Sequence, residues 1–238
     1  MIHLQNILLI DIETVPELAT YYELNDSKQK LWDKKAYLLN NENEDTPGMF
    51  EERAGIYAEF GKIICIGLGY FTKENGIWKL KLKAISGHDE KEILNQFKKI
   101  CSIFFKDNEK KFCGHNIREF DIPYICRRFL IHQISLPKIL ADLQDKKPWE
   151  NPMIDTLQLW KFGEYKHFTS VDLLAHVLGI ESPKTDIDGS EVAKVYWQDK
   201  DLNRIAKYCI KDVETVAQII LRLHSMPIIE KENIVYIN

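Results

Sequence analysis

Acidic residues at three widely separated places in the sequence have the type and spacing that can hold metal ions. Asp11 and Glu13 end the first apolar run, Asp121 precedes an apolar segment, and Tyr208 stands four residues before Asp212. Residues two apart on a strand share a face, and so do residues four apart on a helix. Clustered carboxylates repel one another unless a cation neutralises them, and oxygen ligands favour Mg²⁺ or Mn²⁺ over Zn²⁺. The pattern therefore predicts a divalent-metal site if the fold brings the three places together.

Each of the three places also has an ordinary structural explanation. Asp11 and Glu13 can form an Asx-type turn. Asp121 can cap a helix N-terminus, where backbone N–H groups stabilise a carboxylate. Tyr208 and Asp212 can be surface residues that flank the apolar stripe of their helix. The metal hypothesis therefore depends on the three places acting together.

Motifs of several other enzyme classes are absent from the sequence. It contains no Walker loop, no G-x-S-x-G elbow and no G-x-G-x-x-G. The seven histidines show no H-x-x-x-H spacing, which makes a zinc site of that kind unlikely to explain the acidic residues.

The composition is that of an ordinary globular protein. The chain has 238 residues, of which 45% are hydrophobic and 29% charged, and this length can bury a large core without disulfide or metal staples. A net charge of −4 argues against a broad basic surface that coats nucleic acid. It is compatible with a nuclease that grips only a few nucleotides at one strand end.

The cysteines and the N-terminus predict a cytoplasmic protein. The five cysteines are odd in number, scattered and without a C-x-x-C pair, which is typical of a reducing compartment. The sequence shows neither a secretory leader nor an apolar stretch long enough to span a membrane. We therefore expect no membrane association.

Hydrophobic periodicity predicts an α/β fold with a mixed sheet. Strands are expected at 6–12, 63–70, 78–86 and 111–115, and helices at 89–105, 122–132, 170–180, about 189–196 and 201–224. Residues 154–162 fit either a strand or a helix. The first strand is apolar on both faces, which is typical of a central position. Strands interleaved with helices in this way form a mixed sheet flanked by helices.

A helical insert is predicted after the first strand, at about residues 14–61. Two helices are expected within it, at about 27–39 and 47–60. No segment reads as a convincing interdomain linker, so the sequence predicts one domain over residues 1–238.

The three acidic motifs, in their order, resemble those of a known superfamily. D-I-E, N-x-x-x-F-D and Y-x-x-x-D are similar to the motifs of the DEDD 3′–5′ exonucleases in their tyrosine branch. More closely, the chain resembles stand-alone bacterial predicted exonucleases related to the proofreading domain of family-B DNA polymerases. The stretches AEFGKIICIGLGY, KKPWENPMIDTLQLWKFG and PKTDIDGSEVAKVYW also fit that group. The histidine branch would carry histidine at the position of Lys207, so the tyrosine branch fits better.

The resemblance implies an RNase H-like fold and a metal-dependent hydrolase. It implies that Asp11, Glu13, Asp121 and Asp212 ligate two divalent ions, Mg²⁺ or Mn²⁺, and that Tyr208 orients the attacking water. The reaction would remove nucleoside 5′-monophosphates from the 3′ end of DNA, preferably single-stranded.

Four further residues are candidates for substrate contact. Thr14 and Val15 follow the first carboxylates, and we expect them to contact the terminal nucleotide through a backbone N–H and an apolar side chain. Asn116 and Phe120 are expected to contact the penultimate sugar and base, because aromatic stacking tolerates any base. Phe120 can equally be a core residue.

Two alternatives to a DNA exonuclease remain open. An exoribonuclease of the same fold would differ in its contacts with the 2′-hydroxyl, which the sequence does not locate. A catalytically weak nucleic-acid-binding module is a different class. The complete set of carboxylates argues against it, because clustered charges are costly to keep without a metal.

Overall fold

A six-stranded mixed sheet lies at the centre of the computed structural model, which describes residues 2–39, 45–106, 109–143, 145–147, 150–165, 168–181 and 186–237. The strands are β1 (Ile7–Pro16), β2 (Gly61–Glu74), β3 (Ile77–Ser86), β4 (Lys111–Gly114), β5 (Met153–Asp155) and β6 (Ile234–Tyr236). Their spatial order is β5-β4-β1-β2-β3-β6. β2 runs antiparallel to β1 and β3, whereas the β1–β4, β4–β5 and β3–β6 pairs are parallel.

Helices cover this sheet and fill the connections between its strands. They are α1 (Asp26–Leu39), α2 (Thr46–Arg53), α3 (Glu90–Phe104), α4 (Asp121–Ile131), α5 (Lys138–Ala141), α6 (Thr156–Lys161), α7 (Val171–Val177), α8 (Val192–Lys194) and α9 (Leu202–Leu223). A π-helical turn at Val195–Asp199 follows α8. The predicted mixed α/β fold with flanking helices is confirmed, and the arrangement is that of an RNase H-like exonuclease fold.

Both faces of β1 are buried, which explains why its sequence is apolar without alternation. Leu8 and Ile10 pack in a cluster with residues of α3 and α4. Ile7 and Leu9 point the other way and pack with residues of α9. The sheet is therefore enclosed between α3 and α4 on one face and α9 on the other, and β1 is rigidly held at its centre.

The sequence did not distinguish a strand from a helix over residues 154–162, and the structure contains one of each there. β5 ends at Asp155, and α6 begins at the next residue. The Asp155 carboxylate accepts hydrogen bonds from the N–H groups of Leu157 and Gln158, so a single side chain ends the strand and caps the helix. β6 was not predicted, because three residues are too few to show a period.

The insert builds a small hydrophobic cluster of its own around Trp32, Phe50 and Phe60. The Trp32 Nε1–H donates to the carbonyl of Thr46 over 3.1 Å, which ties α1 to α2. The second insert helix is shorter than predicted, because α2 ends at Arg53 and a 3-10 turn follows. Residues 40–44 of the insert lie outside the described residues. The single-domain assignment over 1–238 stays a prediction.

Candidate active site

β1 carries Asp11 and Glu13 on the face that α9 covers. In the β1–β2 ladder, Asp11 lies opposite Gly67 and Glu13 lies opposite Cys65. Alternation along the strand places both carboxylates on the same side as Leu9, which packs with α9 residues. A register shift follows directly after Glu13. Glu13 is thus the last residue of β1 in regular register with β2, and an irregularity of the bulge type follows it.

Gly67 allows α9 to lie directly against β2 at the level of Asp11. A Cβ atom at Gly67 would stand 2.8 Å from the Cys209 Sγ and 2.9 Å from the Val213 Cγ2. Neither contact leaves room for a side chain. The close approach also brings the Cys209 S–H within 3.4 Å of Asp11 Oδ2, to which it donates. α9 is therefore seated on the sheet beside the first pair of carboxylates.

Tyr208 and Asp212 reach the same place from α9. They stand one helical turn apart, and the Tyr208 hydroxyl donates a hydrogen bond to the Asp212 carboxylate. Burial raises the pKa of Tyr208, and the negative charges of Asp212, Glu13 and Asp11 raise it further. The hydroxyl therefore stays protonated at neutral pH and acts as a hydrogen-bond donor beside the carboxylates.

Asp121 completes the group by filling a gap in the sheet. β4 pairs with β1 only as far as Leu9 and Cys113, so the N–H of Ile12 has no strand partner on that side. This N–H donates to Asp121 Oδ1 over 3.0 Å. Asp121 is 3% exposed and is the first residue of α4, whose N-cap is Phe120. Asp121 is therefore in the first turn of α4 rather than at its N-cap, and its carboxylate accepts its own backbone N–H as well as the N–H of Ile12 on the edge of β1.

A buried ion pair fixes α4 so that Asp121 keeps this position. Arg128, near the C-terminal end of α4, donates from Nε to Glu90 Oε1 over 2.9 Å and from Nη1 to the carbonyl of Ala58 over 2.7 Å. Glu90 also accepts the N–H of Ile63 in β2. Both charged side chains are nearly inaccessible to solvent. α4 is thereby joined to α3 and β2 by bonds that would be costly to break.

All four carboxylates have raised pKa values, and burial is the largest cause in each case. The pKa values of Asp11 and Glu13 lie well above their ordinary range, because neighbouring carboxylates add to the effect of burial. The pKa of Asp121 rises to about 7 and that of Asp212 to about 6. Among the described residues, no Lys or Arg is among the groups that shift the pKa of Asp11 or Glu13. Within the described part of the chain, the charges that act on Asp11 and Glu13 are therefore negative rather than positive.

This donor set fits hard divalent cations. Ligand atoms of Asp11, Glu13 and Cys209 lie within 4.8 Å of one another, and Asp121 and Asp212 lie close enough for their charges to raise the pKa of Asp11. Carboxylate oxygens are the preferred ligands of Mg²⁺ and Mn²⁺. A bound cation would also remove the repulsion that raises the pKa values of these groups.

Asp155 shapes the loop that carries Asn116, and sequence reasoning missed it. This aspartate is 1% exposed, and it accepts the N–H groups of Asn116 over 2.9 Å and Arg118 over 3.0 Å in addition to capping α6. Asn116 has a left-handed backbone with φ 61°. An aspartate placed between a strand and a helix could have signalled this capping role. The ambiguous period of its surroundings hid that boundary.

The predicted substrate residues fall into two groups. Asn116 and Phe120 are partly exposed, and the Asn116 Oδ1 is a buried acceptor without a partner in the part of the chain that the structure describes. The Phe120 ring packs near Tyr124, with centroids 5.5 Å apart, and it also borders the core. Phe120 is therefore partly a core residue and partly exposed for contact with a base, so both interpretations that the sequence left open apply to it.

Thr14 and Val15 differ from each other in exposure. Thr14 is half-buried and hydrogen-bonds to the Tyr124 hydroxyl. Val15 is 0% exposed and packs in a cluster with Ile64 and Ile205. The structure therefore does not bring the Val15 side chain to the open surface of the site.

A family model matches the part of the chain that carries Asp121, Tyr208 and Asp212, but not the part that carries Asp11 and Glu13. Residues 56–228 match the model of a family described as a predicted 3′–5′ exonuclease related to the exonuclease domain of PolB. The match covers more than half of the chain, including Asp121, Tyr208 and Asp212. A search of curated proteins found no match. Among the helices that the structure describes, none combines the length and apolar character needed to cross a bilayer.

Proposed function

Since the chain belongs to the family of predicted 3′–5′ exonucleases related to the exonuclease domain of PolB, we propose that it hydrolyses DNA from the 3′ end. The substrate is preferably single-stranded, and the products are nucleoside 5′-monophosphates. The observation that carries the proposal is the convergence of four carboxylates and one tyrosine from β1, α4 and α9. Three of these residues come from outside the first motif, so the group is not a local turn.

In this proposal, Asp11, Glu13, Asp121 and Asp212 hold two divalent ions, Mg²⁺ or Mn²⁺. The support is their raised pKa values and the absence of a Lys or Arg among the groups that perturb Asp11 and Glu13 in the described chain. When bound, such a pair of ions lowers the pKa of an attacking water and stabilises the leaving oxygen. The chain itself contributes fixed positions, because Asp121 is bonded to the backbone of β1.

Tyr208 is the residue that orients the water in this mechanism. Its hydroxyl donates its one proton to Asp212, so its oxygen can accept a hydrogen bond from the water and restrict the direction from which the water approaches. A hydrogen bond to Asp212, a proposed metal ligand one helical turn away, holds the Tyr208 side chain in place. Burial and the neighbouring carboxylates raise the pKa of Tyr208, which favours a neutral hydroxyl over a tyrosinate base.

Contacts with the substrate strand belong to the same proposal. In this proposal Asn116 contacts the penultimate sugar, and its Oδ1, a buried acceptor without a partner among the described residues, accepts a hydrogen bond from a water at that position. The exposed part of Phe120 offers a stacking surface for a base. Thr14 and Val15 contact the terminal nucleotide, and because its side chain is buried, Val15 can do so only through its backbone. All five cysteines are free thiols, which supports a cytoplasmic location.

A nuclease assay tests the proposal directly. Single-stranded DNA, recessed duplex DNA and RNA, each labelled at the 5′ end, are incubated with Mg²⁺, with Mn²⁺ or with EDTA. We expect a ladder of products shortened from the 3′ end, which requires metal and is most abundant for single-stranded DNA. Asp11→Ala and Asp212→Ala should abolish it.

Asp33→Ala is the matched control, because Asp33 is an exposed aspartate of α1. It should leave the ladder unchanged. Activity that survives both Asp11→Ala and Asp212→Ala would disprove the assignment of the site. Efficient cleavage of RNA with little cleavage of DNA would replace the deoxyribonuclease by an exoribonuclease of the same fold.

A further inference from the structure

Exposed aromatic side chains gather on the segment between α6 and α7. Phe162 is 91% exposed, Tyr165 102% and Phe168 61%. We call these three residues the aromatic rim. Large apolar side chains that cluster on a surface usually mark a contact region rather than chance exposure. The rim is not used by the site described above.

The backbone at Phe162 indicates that its exposure is not accidental. Phe162 is the residue after α6, and it has a left-handed φ of 47°, with Gly163 following at φ 87°. A bulky residue in this region is disfavoured, whereas glycine adopts it readily. Core contacts of the Phe162 ring do not compensate for this backbone strain, because the ring is almost fully solvent-exposed. A side chain kept under these conditions is a candidate for function.

One member of the rim, Phe168, borders the candidate active site. The Phe168 ring packs edge-on against His115 with centroids 5.7 Å apart, and His115 Nε2 donates to the carbonyl of Thr169 over 2.7 Å. His115 directly precedes Asn116. On the other side, Asp172 in α7 lies close enough to Asp212 to act on it electrostatically. Phe168 and Thr169 therefore lie beside the loop that carries Asn116, and Asp172 lies within electrostatic reach of Asp212.

Positive charge accompanies the rim. Lys161, the last residue of α6, lies close enough to His115 for its charge to act on that ring. Arg118 is exposed and is held to β5 by a hydrogen bond from Nη2 to the carbonyl of Met153 over 2.9 Å. Aromatic rings next to cations match the alternation of bases and phosphates along a single strand.

We infer that the aromatic rim stacks the unpaired bases of the substrate strand upstream of its 3′-terminal nucleotides. The inference rests on the proposed function and adds to it a binding subsite for the upstream nucleotides. Bases within a duplex are already stacked and paired, so only a single strand can present them to Phe162 and Tyr165. The rim would therefore select strands that are unpaired for several nucleotides before the end, without selecting their sequence.

Binding and cleavage of strands of graded length test the rim. Phe162→Ala and Tyr165→Ala are compared with the wild type on a dinucleotide and on a twelve-nucleotide single strand. Binding is measured by fluorescence anisotropy in EDTA or Ca²⁺, and KM is measured in Mg²⁺. Because a stacked base contributes about 1–3 kcal/mol, we expect the Kd and KM of the long strand to rise by roughly 5- to 150-fold. The dinucleotide should be unaffected.

Two further variants control this experiment. Tyr37→Ala removes an exposed tyrosine of α1, which is 73% exposed, and it should leave both substrates unaffected. Phe162→Tyr keeps an aromatic ring and should retain the affinity for the long strand. Since Phe162 and Tyr165 have little buried surface, their replacement by alanine should not unfold the protein.

The outcomes separate failure of this inference from failure of the proposed function. If the wild type neither binds nor shortens any strand, the exonuclease proposal fails and the inference fails with it. If the wild type is active and both alanine variants bind the long strand normally, the inference alone is overturned. An equal loss on the dinucleotide and the long strand also overturns it. So does a dimer of the wild type that either alanine substitution disperses in sedimentation, since the rim would then bind a second copy.

Discussion

Replacing Gly67 by alanine should displace α9 from the sheet and inactivate the enzyme. The added Cβ would lie 2.8 Å from the Cys209 Sγ, 2.9 Å from the Val213 Cγ2 and 3.2 Å from the backbone oxygen of Cys209. Comfortable contacts between such atoms are about 3.5–4.0 Å, so the first contact falls short by roughly 0.7–1.2 Å. Small side-chain movements cannot relieve all three contacts, because one of them is with the helix backbone.

The size of the effect follows from this displacement. Overpacking a core typically costs about 1–3 kcal/mol of stability. A shift of about 1 Å in a catalytic group typically costs about 10²-fold in rate. Tyr208 and Asp212 would move with α9, while Asp11 and Glu13 stay on β1. We therefore expect Gly67→Ala to lower the free energy of unfolding by about 1–3 kcal/mol and kcat by about a hundredfold.

Urea denaturation and steady-state cleavage of a labelled single strand measure the two effects. Gly87→Ala is the matched control, because the nearest atom to a Cβ at that position is 3.7 Å away. It should change stability by less than about 0.5 kcal/mol. The double variant Gly67→Ala/Cys209→Ala removes the nearest clashing atom, so it should recover part of the stability lost in Gly67→Ala. Wild-type stability and kcat in Gly67→Ala would refute the argument that close contact at this glycine seats α9.

Three further results are expected. Tyr208→Phe should lower kcat by about 10²-fold while DNA binding, measured without turnover, stays near that of the wild type; full turnover would remove the hydroxyl from the mechanism. Asp155→Ala leaves four backbone N–H groups, one buried and three part-buried, without their acceptor, so urea denaturation should show a loss of about 2–4 kcal/mol. That loss should exceed the ~1 kcal/mol expected when the exposed cap Asp89 is replaced by alanine, and equal losses would contradict it. Because the pKa values of Asp121 and Asp212 are raised to about 7 and about 6, the native metal-free protein binds more protons than the unfolded chain. Its stability should therefore fall as pH rises from about 4 to 7. Thermal denaturation in EDTA at pH 5 and pH 7.5 checks this, and Asp121→Asn should flatten the dependence; a metal-free protein that is more stable at pH 7.5 would show that the sign is wrong.

Periodicity within the sequence was sufficient to predict most of the elements. β1 was expected as a central strand because its residues are apolar without alternation, and α9 was expected because its apolar stripe repeats with a helical period. The pairs Asp11–Glu13 and Tyr208–Asp212 were each placed on one face by the same local rules. These relations concern residues a few positions apart, and backbone geometry alone determines them.

Contacts between distant residues were beyond the reach of those rules. The N–H of Ile12 and the carboxylate of Asp121 are separated by 109 positions in the sequence. Their bond exists because β4 stops pairing with β1 after Leu9. No local pattern near Asp121 distinguishes this role from the capping of α4.

The burial of Val15 and the role of Asp155 show the same limit. Val15 follows two site residues on one strand, yet its side chain is 0% exposed and packs in a cluster with Ile64 and Ile205. Asp155 is one aspartate among many in the sequence, and only the folded chain brings Asn116 and Arg118 to it.

The sequence by itself determined which residue types were available and how each pair is oriented on its own element. The tertiary structure alone decided that the pairs meet, because meeting depends on the order of strands in the sheet and on the close approach of α9 at Gly67. Local geometry is fixed by steric limits on neighbouring residues, whereas the convergence of β1, α4 and α9 depends on burial and hydrogen bonding between segments far apart in the chain.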